Sequence, residues 1–255
     1  MSGVANSSLE AGPGAVRALL DAPGLGAVAL SRPPLDDLPC RDLIRQLLQR
    51  QGFKLDFNGQ PPDTVIAMVA DQLLGPGTFI QERAQLAGEI AALTAFAQRI
   101  AGGPPPMVSI RTFFAPGDLV WHVDRLHDPK AFRLLWPIGR PAGMRVTPRS
   151  NIDPAIHRAF MRREHPLLCR LDTRVARTGA AVEALWAHRP AQLAAMVSGD
   201  FPFLIDPALE EEIAPGAASI HRVETPGQPG TWHRSSWSNR RAPGLQIVVT
   251  AASYE

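Results

Sequence analysis

The residues most able to do chemistry stand in GDLVWHVDRLH, residues 117–127, where His122 and Asp124 are two positions apart among Val120, Trp121 and Val123. On an extended strand alternate side chains share a face, so this imidazole and carboxylate point the same way while Val123 points oppositely. A nitrogen and an oxygen donor so placed can share a metal ion. The third donor has to come from elsewhere in the chain. His233 in TWHRSSW and His221 in SIHRVE are the two candidates, both on strand-like segments that follow a Pro-Gly. Residue type and spacing leave the two open. His127 falls in a turn, RLHDPK.

These donors need elements to hold them. Residues 1–37, rich in Gly, Ala, Pro and Ser, read as a loosely ordered arm with one short helical candidate, AVRALLDA. Residues 38–104 read as a helical part. CRDLIRQLLQRQGF and PDTVIAMVADQLLG carry helical apolar spacing, and TFIQERAQLAGEIAALTAFAQRIAGG sets Leu86, Ile90, Leu93 and Phe96 on one stripe before Gly102-Gly103. From residue 105 the pattern changes to short β-branched and aromatic runs: MVSIRTFF, LVWHV, FRLLWPI and GMRVTP, then GAASIHRVE, GTWHRSSW and GLQIVVTAAS. A mainly helical insertion at about 153–212 divides them. The expectation is an α+β protein whose β region, 105–255, is a jelly roll or barrel preceded by helices, with a continuous sheet flanked by helices as the alternative. The insertion covers the site as a lid or substrate-selecting cap.

The composition narrows the function. With 255 residues, 45% hydrophobic and 20% charged, the chain reads as an ordinary globular protein. A formal charge of +2 argues against a nucleic-acid partner. Cys40 and Cys169 make neither a metal-ligand spacing nor a disulfide framework, which fits a reducing, cytoplasmic compartment. No basic and apolar leader opens the sequence and no run of 18 apolar residues interrupts it, so neither a signal peptide nor a membrane span is expected.

Two histidines and one carboxylate on one side of a metal form the facial triad of non-haem Fe(II) oxygenases. The His122-Val123-Asp124 pattern, the late His233 in HRSS and the arginine before the last strand resemble the 2-oxoglutarate/Fe(II)-dependent dioxygenases. The order RTFF, HVD, FRLL, PG, HRSS and VVT is similar to a bacterial branch of that superfamily with an HxD…HRS pattern. The resemblance covers about residues 107–254 without the insertion, and its motifs are short. It implies a double-stranded β-helix, a variant of the jelly roll, and Fe(II) on His122, Asp124 and His233. It also implies 2-oxoglutarate as cosubstrate and oxidation of a small-molecule C–H bond. In the superfamily an Arg or Lys about ten residues after the late histidine commonly holds the far carboxylate of 2-oxoglutarate. Here that place falls on Pro243 and Gly244, while Arg240 and Arg241 come two to four residues early. Arg241 is the favoured anchor; Arg240 and Arg133 are the others. Trp121 and Trp136 are expected to line the substrate pocket. The same three ligands also suit zinc, in a hydrolase or a metal-binding protein, and a cupin-like binding module without turnover is the third reading.

Overall fold

The computed structural model describes residues 3–22, 24, 26–49, 54–111, 120–127, 130–139, 143–170, 199–235 and 244–253, the side chains of residues 54, 58, 164–170 and 253 excepted. Its elements run β1 (Val4–Ser7), α1 (Pro13–Asp21), β2 (Ala27–Leu30), α2 (Arg41–Gln49), β3 (Lys54–Asn58), α3 (Pro62–Leu74) and α4 (Ile80–Ala101). There follow β4 (Met107–Arg111), β5 (Lys130–Ile138), β6 (Met144–Thr147), α5 (Pro154–Arg170), β7 (Glu211–Glu212), β8 (Ala218–Arg222), β9 (Trp232–Ser235) and β10 (Leu245–Ser253).

Alternation along the strands decides the layering. On β5, Phe132, Leu134, Trp136 and Ile138 belong to the main core, as do Val108 and Ile110 of β4, Ala218 and Ile220 of β8, and Leu245, Ile247 and Val249 of β10. Their intervening neighbours (Arg111, Arg133, His221, Gln246) point to the other face, because successive side chains of a strand alternate. Seven strands in the order β1-β2-β8-β5-β10-β4-β3 form the large sheet, and β7-β6-β9 form a small one. Every pairing is antiparallel except that of β1 with β2. Helices α1–α4 cover the apolar face. In α4, Leu86, Ile90, Leu93 and Phe96 are all buried, and Gly102 ends the helix in the left-handed region at φ 73°. The small sheet covers part of the opposite face through Ala27, Ala29, Leu135, Val248, Met144, Val146 and Ile213. The protein is thus a mixed α/β structure on one large sheet, with a polar patch opening where the two sheets part.

Three expectations are corrected here. Residues 1–37 are not a loose arm, since β1, α1 and β2 lie within them and β2 is an interior strand buried along its length. Burying Val28 and Leu30 against the helices and Ala27 and Ala29 against the small sheet ties that segment into both cores. The helical part contains a strand, β3, at the edge of the large sheet. LVWHV is not a ladder strand over its described part; residues 122 and 125 make isolated bridges instead. Of the helical insertion, α5 is present, and 199–212 holds turns and the short β7. The remaining helical candidate, in 171–198, lies outside the described residues.

Candidate metal centre

The backbone brings His122 and His233 together. Their N–H and C=O groups exchange two hydrogen bonds, each 3.0 Å, as a hydrogen-bonded antiparallel pair. Directly opposed residues of such a pair share a face, and the two rings lie 4.4 Å apart between centroids. Each ring is fixed in the same manner. His122 Nδ1 is 2.8 Å from the Val120 carbonyl oxygen and His233 Nδ1 is 3.0 Å from that of Thr231, both two residues upstream. A carbonyl only accepts, so each Nδ1 carries the proton and each Nε2 keeps its lone pair. That tautomer is the one a metal-binding imidazole needs.

Asp124 completes the group on the same side as His122. It is tied through its own backbone, whose carbonyl accepts from the Glu224 N–H at 2.8 Å, while Leu126 N–H donates to Glu224 O at 3.0 Å. One donor atom from each of His122, Asp124 and His233 lies within 4.8 Å of the other two. No other such group of His, Cys, Asp or Glu occurs among the described residues.

His221, the rival third ligand, approaches from β8. Its Nε2 is 3.3 Å from Asp124 Oδ2 and its ring is 4.4 Å from that of His233. Arg133 reaches the other carboxylate oxygen, Oδ1, in an ion pair. Register explains the convergence: Arg133 pairs with His221 on one side and Thr250 on the other, so the three occupy one rung of the sheet. Arg133 Nε also donates to Thr250 Oγ1 at 3.3 Å.

These neighbours set the protonation states. Burial pushes His233 well below the ordinary histidine value, and the nearby rings of His221 and His122 push the same way. Burial also lowers His221, against the opposing pull of Asp124. Burial by itself would raise the Asp124 carboxyl, but the His221 hydrogen bond, then His233 and Arg133, outweigh it and hold the group well below its usual range. Neutral imidazoles and an ionised carboxylate are the ligand forms of these residues, so the donor set fits a divalent metal.

The polar patch beside the group is a cavity of about 80 Å³ whose walls include Arg111, Arg133, Ser235 and Gln246. Arg111 donates from Nε to Gln246 Oε1 at 2.6 Å. Arg111 was not singled out in the sequence, although its place in SIRTFF, in phase with Ser109 and out of phase with Val108 and Ile110, puts it on the site face.

Other expectations fare differently. Trp121 and Trp136 do not line a described pocket: both are fully buried. Trp136 Nε1 donates to Gly216 O at 3.0 Å, and Arg234 lies over the Trp121 ring. Their large apolar rings serve the core. Trp232 stands at an open cleft instead. His157 of α5 is half-buried; its Nε2 is 3.0 Å from Trp121 O, and its ring meets Trp232 edge-on at 4.7 Å. Arg240 and Arg241 lie outside the described residues. No helix among the described residues is long and apolar enough to cross a membrane.

No protein-family model matches the chain, and no curated protein does. Among solved structures the chain is similar to the dioxygenase for auxin oxidation of rice, at 17% identity and a TM-score of 0.42, over 96% of this chain and 82% of that one. It is similar also to dioxygenase for auxin oxidation 1 from Arabidopsis thaliana in its binary complex with 2-oxoglutarate, at 12% and 0.44, over 98% and 91%. AviO1 from Streptomyces viridochromogenes Tue57 follows at 12% and 0.32, over 84% and 94%. Likeness at these levels assigns neither substrate nor reaction.

Proposed function

We propose that the protein is a non-haem Fe(II)- and 2-oxoglutarate-dependent oxygenase built on a double-stranded β-helix, with His122, Asp124 and His233 as the metal ligands. The observation that carries this reading is the donor set itself: one ring nitrogen from each of two histidines and one carboxylate oxygen within 4.8 Å of one another, beside a cavity whose walls include Arg111 and Arg133. Three protein ligands on one side leave open positions for a chelating cosubstrate and a gas.

When bound, Fe(II) with 2-oxoglutarate and dioxygen supplies the oxidation of a substrate C–H bond, with loss of carbon dioxide from the cosubstrate. The chain's own residues do the rest. The paired backbones of His122 and His233 fix the two imidazoles before metal arrives, and the Val120 and Thr231 carbonyls hold their tautomer. Arg133 takes one oxygen of Asp124, directing the other toward the imidazoles. The far carboxylate of 2-oxoglutarate falls to Arg241 or Arg240, or to Arg133, because a planar guanidinium pairs with a carboxylate through two parallel hydrogen bonds.

The test is spectroscopic. Under anaerobic conditions, Fe(II) and 2-oxoglutarate added together should give a weak visible charge-transfer band that neither gives alone. His122→Ala, Asp124→Ala and His233→Ala should each abolish it while retaining the far-UV circular dichroism of the parent. A protein that takes up zinc at these residues and yields no band with Fe(II) and 2-oxoglutarate sinks the oxygenase reading and leaves the metal site.

A further inference from the structure

His122 has two sides. One faces the cavity described above; the other faces a larger cleft of about 820 Å³, whose walls come from α5, Val123, Arg125, Arg149, Glu224 and Trp232. This is a volume suited to a small organic molecule. The face that α5 turns to it carries Pro154, His157, Arg158, Met161 and Arg162. Their spacing of three, four, seven and eight residues makes one continuous stripe along a helix. Two of these five residues, Arg158 and Arg162, are cationic and exposed, so the face that α5 turns to the cleft is its charged one. The buried side of the same helix is elsewhere, at Phe160, which meets Phe201 and Phe203 edge-on.

The charge of the cleft is one-sided. Arg125, Arg149, Arg158 and Arg162 line it against one carboxylate, Glu224. Arg125 pairs with Glu224 at 2.9 Å and Arg149 approaches it at 3.8 Å, so that carboxylate is already shared. Neither Arg158 nor Arg162 has an acidic partner among the described residues. Burial lowers His157 from its ordinary value against the opposing hydrogen bond to the Trp121 carbonyl, and Arg125, His122 and Arg158 lower it further, so the cationic balance of the cleft rests on its arginines. Between the guanidinium groups lie apolar surfaces, Val123, Met161 and the Trp232 ring. With Glu224 shared between Arg125 and Arg149, the four guanidinium groups leave the concave surface net cationic, which favours an anion there.

We propose that this cleft binds the substrate, and that the substrate is a small amphiphilic organic anion. Its acid group, a carboxylate or a phosphate ester, is held by Arg158 and Arg162, and its apolar body lies on Trp232, Val123 and Met161 toward His122. The proposal rests on the oxygenase reading only in naming the bound molecule a substrate; the cleft's anion selectivity stands apart from it.

The test follows tryptophan fluorescence during titration with three molecules of similar body: 3-phenylpropionate, 2-phenylethyl phosphate and the neutral 3-phenylpropanamide. Each titration is run on the protein alone and on the protein with Fe(II) and 2-oxoglutarate under anaerobic conditions. At least one acid should bind about ten-fold or more tighter than the amide, since a charge-assisted hydrogen bond is worth about a decade or two in affinity. Whichever acid binds tells a carboxylate from a phosphate site. Arg158→Gln with Arg162→Gln should remove the preference without changing the fold, and Arg158→Lys with Arg162→Lys should restore most of it. Equal binding of acid and amide, no acid binding at millimolar concentration, or an acid preference that survives the double Gln variant overturns the proposal. Acid binding without a charge-transfer band overturns the oxygenase reading and leaves the anion cleft. A band without acid binding does the reverse.

Discussion

Replacing His221 with phenylalanine separates a ligand from a residue that positions one. His221 is fully buried, with Nε2 3.3 Å from Asp124 Oδ2 and Nδ1 lacking a hydrogen-bond partner among the described residues. Phenylalanine keeps a ring of nearly the same shape and removes both nitrogens. The fold then loses a hydrogen bond to a charged group, worth about 1.5–3 kcal/mol, and is relieved of an unsatisfied buried nitrogen, worth about 1–3 kcal/mol. The two nearly cancel, so the melting temperature should move by only a few degrees. Metal affinity should fall further. Residues that orient metal ligands typically contribute about 10–100-fold in affinity, which is about 1.4–2.8 kcal/mol. Asp124 keeps Arg133 and its two flanking ligands, so binding weakens without vanishing. Losing His221 also removes a cause of the low Asp124 pKa, so the pH at which metal is released should rise. The assay is anaerobic Fe(II), or Co(II), titrated against a chromophoric chelator at several pH values, with a melt of the same sample. A folded His221→Phe protein holding no metal, beside a His233→Ala protein that holds it, makes His221 the ligand. An affinity equal to that of the parent means the contact with Asp124 does nothing for the metal.

Two further outcomes are expected. In the metal-free protein, His221 and His233 have folded-state pKa values lowered from 6.5, so the unfolded chain takes up protons first as pH falls. Stability is therefore full above about pH 6.5 and declines below it by up to about 1.4 kcal/mol per pH unit for each buried histidine, with a smaller share from half-exposed His157. Thermal melts at pH 7.5 and 5.5 read this, and equal midpoints refute it; the Asp124 shift acts only at lower pH. Gly143→Ala should destabilise by about 1–3 kcal/mol or more, the usual cost of overpacking. A Cβ there would stand 2.7 Å from the Ile213 carbonyl carbon and closer still to its oxygen, at a point where Ile213 N–H donates to Met144 O at 2.9 Å. An unchanged denaturant midpoint for Gly143→Ala would show that β6 and the Ile213 backbone can part without cost.

The legible parts of the sequence were those in which one local period carries the information. The Leu86–Phe96 stripe of α4 and the alternation of β5 and β10 both name their buried faces, and His122-x-Asp124 names a shared one. The parts that were missed depend on partners far away in the chain. AVAL of β2 is too short to show a period, and only its pairing with β1 on one side and β8 on the other makes it an interior strand. KLDFN lies between two helices and becomes β3 only because β4 returns beside it. Aromatic residues on strand-like runs are apolar whether they face a core or a pocket, so Trp121 and Trp136 could not be told from Trp232 without the fold. The charged face of α5 has no counterpart within its own segment, because Trp232, which lines the same cleft, lies some seventy residues on.

The position of His122 between cavity and cleft also bears on how two anions can share one site. Under the proposed reading, cosubstrate and substrate are both negatively charged and both must approach one metal. Two unit charges roughly 8 Å apart, at an effective dielectric of about 20, repel by about 2 kcal/mol. One arginine set could neutralise only one of them. The chain instead carries two sets on opposite sides of the clasp: Arg111 and Arg133 on strands of the large sheet, and Arg158 and Arg162 on α5 with Arg125 and Arg149 opposite. The first set stands on the large sheet, where Arg133 is held by Thr250 and by its ion pair with Asp124, and Arg111 by Gln246. The second sits on a helix that docks through His157 onto the Trp121 carbonyl, one residue before the first histidine. Breaking that dock should therefore weaken the binding of the organic acid while leaving metal and 2-oxoglutarate in place. His157→Ala, measured by the fluorescence titration and by the charge-transfer band on one sample, tests the division; equal losses in both would mean that the two sides of His122 do not act separately.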